Sequence, residues 1–211
     1  RIPLTWLGLK QRLETAQKPY LTYEQYLDWC KEADISYEWE QERLIGFLHD
    51  LGTVLCFKDA LPLRDKLILN PKWITEGIYR LINSEDLKSA GGMVTPQNLK
   101  QLLERDTYPS HMYNYLLNMM RRFELCFNLE DSPDTVLLPG LLPENAREVG
   151  DWKDSLAIDY VYDVLPGSIM GRLIVRMHRL LDEERLWRYG AVLDDRENGN
   201  RALVRVDHSA Q

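Results

Sequence analysis

The chain has 211 residues, of which 45% are hydrophobic and 28% charged; this is ordinary globular composition, long enough to bury a core, and it excludes disorder and a repeat array. Lys and Arg number 26 against 33 Asp and Glu, a formal net charge of −7, which argues against non-specific phosphate binding. Three cysteines (Cys30, Cys56, Cys126) without CxxC spacing argue against a disulfide framework and fit a reducing, cytoplasmic setting. No apolar run reaches the roughly 18 residues of a bilayer span. The opening Arg1-Ile2-Pro3-Leu4-Thr5-Trp6 has neither an initiator Met nor a signal-peptide apolar region, so the chain is expected to be cut from a longer protein.

The first predicted helix starts at Thr22, which has capping-box spacing to Gln25, with Tyr23, Tyr26, Leu27 and Cys30 on one face. A second is predicted over 38–51, where Leu44, Phe47, Leu48 and Leu51 repeat that stripe and Gly52 follows as a left-handed stop. Val54–Phe57 and Lys66–Leu69 read as a hairpin with a long loop. Asn70-Pro71 opens the next helix, with Trp73, Ile74, Ile78 and Leu81 inward, and Thr95-Pro96 opens another with Leu99, Leu102 and Leu103. Ser110 heads a helix to residue 122 in which Tyr113, Leu116, Leu117 and Met120 face inward, leaving Tyr115 and Asn118 off the stripe. Strands are expected at Phe123–Leu129 and Thr135–Leu138.

An internal repeat emerges. Leu48 to Phe57, ending Leu-Cys-Phe, and then Ile68-Leu69-Asn70-Pro71, parallel Leu117 to Phe127, also ending Leu-Cys-Phe, and then Val136-Leu137-Leu138-Pro139. Helix, helix, hairpin is the order of a winged helix, so the fold class is α+β with a tandem winged-helix-like first half. From residue 144 the texture changes. Glu144 to Asp154 reads as a linker, Leu156–Val164 as a strand, and 168–181 as a helix with Ile169, Leu173, Met177 and Leu180 inward. Arg185–Leu193 and Arg201–Val206 then form strands around Asn198-Gly199. This second piece is a small α+β subdomain, expected to be truncated at residue 211.

No motif supplies chemistry. There is no GxxxxGK[ST], no Gly-Lys pair and no GxGxxG, so a P-loop is excluded. His49-Asp50 resembles half of a metal-phosphohydrolase signature, but His49 is the first histidine and the upstream ligand does not exist. Cys56 and Cys126 read as small core residues. The carboxylate pairs Glu183-Glu184 and Asp194-Asp195 diverge as sequence neighbours and make no dyad. Winged-helix DNA binding is the rival function, and Glu38, Glu40 and Glu42 on the would-be recognition helix oppose it. Arg172, Arg176 and Arg179 line one face of the 168–181 helix and read as its solvated side. Six Trp and eleven Tyr point instead to an interaction module.

The run Phe47 to Phe57, followed by Leu67-Ile68-Leu69-Asn70-Pro71-Lys72-Trp73, resembles the COR domain of the Roco family, in which COR follows a Ras-like Roc GTPase. Ile2-Pro3-Leu4-Thr5-Trp6 is similar to the segment joining Roc to COR, and Leu165-Pro166-Gly167 through Arg176, with Leu186-Trp187-Arg188-Tyr189-Gly190, resembles the second COR subdomain. The resemblance implies a connecting segment at 1–21, COR-A at 22–143 and the start of COR-B at 144–211. It implies a non-catalytic regulatory and dimerisation module without catalytic, metal or cofactor residues, GTP or GDP and Mg²⁺ being held by Roc upstream. Leucine-rich repeats or other domains would surround the pair. The implied partners are the Roc domain of the same chain, through a helix-110–122 aromatic (Tyr113 or Tyr115), and a second copy through COR-B, with Trp187 and Tyr189 as candidate dimer contacts.

Overall fold

The structure is a computed structural model describing residues 2–145 and 148–207. The chain divides into two compact units. One runs to Tyr79 and includes His111–Met119; the other comprises Arg80–Ser110 and the chain from Met120 onward.

The first unit begins with helix α1 (Leu4–Thr15) and strand β1 (Tyr20–Thr22). Residues 4–15, read as a connecting segment, are thus a helix, and its Leu9 and Leu13 sit in the core with Tyr26, Ile35, Leu44 and Leu48. Side chains fasten α1 further: Trp6 Nε1 donates to Glu40 at 3.0 Å, and Arg12 pairs with Glu32 at 2.6 Å while lying 4.1 Å over the Trp29 ring. Helix α2 (Tyr23–Glu32) carries the expected box, Thr22 Oγ1 accepting from Gln25 N–H and Gln25 Oε1 from Thr22 N–H. Helix α3 (Glu38–Asp50) buries Gln41, Leu44, Ile45 and Leu48, whereas Leu51 lies just past the helix and is exposed. The inward stripe is therefore turned from the expected one, because Tyr26 Oη donates to the Gln41 carbonyl at 2.7 Å and Gln41 Nε2 to that of Ile35 at 2.9 Å, fixing Gln41 inward.

The hairpin of β2 (Leu55–Cys56) and β3 (Lys66–Ile68) forms where expected, and β1 adds on its other side, giving the antiparallel order β1-β3-β2 with Leu67 between Leu21 and Cys56. Helix α4 (Pro71–Ile82) follows, its first turn closed by Asn70 Oδ1 accepting from Trp73 N–H at 3.3 Å. Trp73, Ile74, Ile78 and Leu81 are all buried, as the periodicity predicts.

The later elements repeat this order. A short helix α5 (Glu85–Ser89), capped by Ser84, precedes β4 (Met93–Val94), α6 (Pro96–Leu102), α7 (Tyr113–Arg122), β5 (Phe127–Leu129) and β6 (Ser132–Leu137). The sheet order is β4-β6-β5, and Val136 sits between Val94 and Asn128 as Leu67 sits between its neighbours. Residues 123–126, expected to begin a strand, instead close α7. At Gly92 (φ +81°) a Cβ would lie 2.5 Å from the Leu138 carbonyl oxygen, which explains the glycine where β4 meets the end of β6.

Leu156–Val164, expected as a strand, is irregular and exposed, with Leu156 at 90% and Val161 at 93%. Strand propensity without a pairing partner makes no strand. Helix α8 (Ile169–Arg176) turns Met170 and Ile174 inward, one position from the predicted stripe. The expected single strand Arg185–Leu193 is a hairpin, β7 (Leu181–Trp187) and β8 (Gly190–Asp195), turning at Arg188-Tyr189. Gly190 permits that turn, since a Cβ there would stand 2.1 Å from the Trp187 ring. Strand β9 (Asn200–Arg205) completes the order β7-β8-β9 after Gly199 (φ +68°). Leu186, Ala191, Met170 and Ile174 form a core with Phe127, Leu137 and Leu142.

Candidate partner-contact surface

Helix α7 is buried on most of its circumference: Tyr113, Tyr115, Leu116, Leu117, Met119 and Met120 are all inside, and Asn114 is exposed. Tyr115, read from its spacing as lying off the inward stripe, is only 3% exposed, and Tyr113 6%. An amphipathic stripe marks one buried face, and this helix buries more than one. Lys66 Nζ stands 5.6 Å over the Tyr115 ring while pairing with Asp65. Burial first, then the neighbouring Cys56 and Asp65, pushes the Tyr115 hydroxyl well above the usual phenol range. Both the Tyr113 and Tyr115 hydroxyl oxygens are buried and without a hydrogen-bond partner among the described residues. Near the start of α7, His111 Nε2 shares a 2.8 Å hydrogen bond with Tyr20 Oη, and Tyr20 lies 5.6 Å from the Trp73 ring.

Trp187 is buried at the hairpin turn, and Tyr189 is half-buried there with Arg188 over its ring at 5.9 Å. Arg172 and Arg176, expected as a solvated face, both donate through Nε to Glu124 at 2.6 Å. Neither the helix spacing nor the local sequence at Glu124 marks that pairing, which spans 48 and 52 positions of chain.

The cysteines and His49 have structural places. The three cysteines are free and buried, and burial pushes Cys126 up to about 12, far from a thiolate nucleophile. His49 Nδ1 accepts from Cys56 N–H at 3.3 Å, tying the end of α3 to β2. No three His, Cys, Asp or Glu side chains converge on a metal position among the described residues. On α3, Glu38 and Glu42 are exposed and Glu40 holds Trp6, an arrangement that lends DNA binding no support. No helix among the described residues is long and apolar enough to cross a membrane.

Residues 3–142 match the family described as C-terminal of Roc, COR-A domain, and residues 153–211 match C-terminal of Roc, COR-B domain. The chain is 25% identical to cyclic GMP-binding protein C of Dictyostelium discoideum, over 98% of its own length and 9% of that protein. It is 26% identical to a Roc-COR-CHAT protease of Runella zeae, over 90% of the chain and 20% of that protein. Among solved structures it is similar to Methanosarcina barkeri Roco2 RocCORdC bound to GDP, with a TM-score of 0.61 and 40% identity over 65% of this chain and 43% of that one. The chain thus spans a fifth or less of these curated relatives.

Proposed function

The chain belongs to the COR family of Roco proteins, a COR-A domain followed by COR-B, and on that premise we propose that it is the non-catalytic regulatory and dimerisation module of a Roc-COR GTPase. It packs on the Roc domain of the same protein and relays nucleotide state by shifting between conformations that Roc selects. GTP or GDP and Mg²⁺ belong to Roc, in keeping with the GDP of the Roco2 relative. The repeated order of helix, strand, two helices and two strands, with the last strand central in each sheet, supports reading residues 22–143 as two winged-helix-like modules, the first of them extended at its N-terminal side by α1 and β1. Residues 144–211 are read as COR-B, with the β7–β8 turn as the dimer contact: Tyr189 presents there and Trp187 holds the turn from inside.

The observation that carries the Roc reading is the pair of unpartnered tyrosine hydroxyls on α7. Buried polar groups normally find partners, and we read these two hydroxyls as meeting theirs when Roc docks against α7. Tyr115→Phe and Tyr113→Phe keep the rings and delete the hydroxyls. Binding of the separated Roc domain to the chain, measured by titration calorimetry, is expected to weaken about tenfold for one or both, as loss of a buried hydrogen bond does. Unchanged affinity for both variants would return α7 to a purely structural role.

A further inference from the structure

Each module ends its last helix in the same way. After α3, Gly52 takes a left-handed conformation (φ +71°), with Gly52 N–H on the His49 carbonyl and Thr53 N–H on that of Leu48. After α7, Glu124 takes the equivalent place (φ +57°), with Glu124 N–H on the Arg121 carbonyl and Leu125 N–H on that of Met120. These are Schellman closures, in which the left-handed residue is usually glycine because a Cβ is disfavoured there. The second module therefore holds a side chain where the backbone prefers none, and strain of that kind points to a use for the side chain.

The use is visible. The two Glu124 carboxylate oxygens are divided between Arg172 Nε and Arg176 Nε, one turn apart on α8, each at 2.6 Å. Those hydrogen bonds hold the Glu124 carboxyl below the usual carboxylate range. Glu124 lies in the segment matched as COR-A and both arginines in that matched as COR-B. We propose that Glu124 is a positioning residue that clasps α8 to the end of α7 and so couples COR-A to COR-B. The relay sense of this coupling rests on the function proposed above; the clasp itself does not.

Amide hydrogen exchange decides it, because the clasp and the helix closure respond oppositely to one substitution. Glu124→Gly eases the left-handed backbone and removes the carboxylate, so α8 amides over 170–176 should exchange about threefold faster or more, the scale of lost exposed ion pairs, while α7 amides slow or stay as they are. Glu124→Gln should speed α8 similarly, and the reversed set Glu124→Arg with Arg172→Glu and Arg176→Glu should restore protection. Unchanged α8 exchange in both single variants would overturn the proposal. With Roc attached, exchanging GDP for a non-hydrolysable GTP analogue should alter both helices in the wild type and α7 alone in Glu124→Gln; an α8 response that persists in Glu124→Gln would overturn the coupling. A wild type in which neither helix responds would overturn the proposed function, and the exchange contrast within the 211 residues would still judge the clasp.

Discussion

A buried hydroxyl without a partner is destabilising by about 1–3 kcal/mol, and α7 holds two of them, on Tyr113 and Tyr115. Deleting the Tyr115 hydroxyl from the chain alone should therefore be neutral or stabilising, by up to about 1 kcal/mol. Tyr115→Ala also removes a buried ring and should be destabilising by about 3 kcal/mol or more. Urea denaturation of the two variants separates these terms, and a Tyr115→Phe variant less stable than wild type by over about 1 kcal/mol would mean that the hydroxyl has a partner inside the fold. Trp73, buried beside Tyr20, should lose about 3–5 kcal/mol on truncation to Ala; a shift under about 1 kcal/mol in the same assay would show it contributes little to the core. Trp73 was legible because it stands beside the i, i+4, i+7 stripe of Ile74, Ile78 and Leu81, behind an Asn-Pro start. Tyr115 was not, because a stripe tells which residues face one neighbour and is silent about a helix enclosed on several sides.

Among the elements, those with local chemistry at their ends could be read directly: the Thr22–Gln25 box, the Thr95-Pro96 start and the Gly52 stop all stand where their side chains and backbone require. Helix α1 has no side-chain cap, and its Pro3 start leaves no polar signal; only tertiary contacts of Leu9, Leu13, Trp6 and Arg12 reveal it. The β7–β8 turn was missed because Gly190 looks like a strand glycine until the Trp187 ring is seen where its Cβ would stand. Two left-handed glycines allow a graded prediction. Gly52 and Gly92 both have positive φ, but a Cβ at Gly52 meets open space while one at Gly92 meets the Leu138 carbonyl oxygen at 2.5 Å. Gly52→Ala should be destabilising by about 1–2 kcal/mol, from conformation alone. Gly92→Ala carries that term plus a steric one of about 1–3 kcal/mol, since the obstacle is backbone. Thermal denaturation that ranks Gly52→Ala as the more damaging would contradict the close approach of β4 to the end of β6.

At the scale of the whole molecule, the question is whether COR-B joins two copies. The segment 156–164, ahead of α8 in the chain, exposes the apolar side chains Leu156, Tyr160, Val161 and Val164, and exposed apolar side chains in number are a feature of association surfaces. Against association stands the net charge of −7, which repels like copies most at low salt. Trp187 is already packed inside the β7–β8 turn, so of the two candidate dimer residues Tyr189 is the one able to meet a partner from the surface. We expect the 211-residue chain to be monomeric or weakly dimeric at about 10 μM, below the affinity that interfaces of standard size commonly reach. A chain that also carries Roc should be a clear dimer by light scattering. Tyr189→Ala should lower that dimer's affinity by about 1 kcal/mol or more, as truncating an aromatic anchor does, and raising the salt should tighten association of the wild type as charge repulsion is screened. Two monomers at high protein and high salt would end the dimerisation role while leaving the contact with Roc intact. A dimer indifferent to Tyr189 would move the interface away from the hairpin turn.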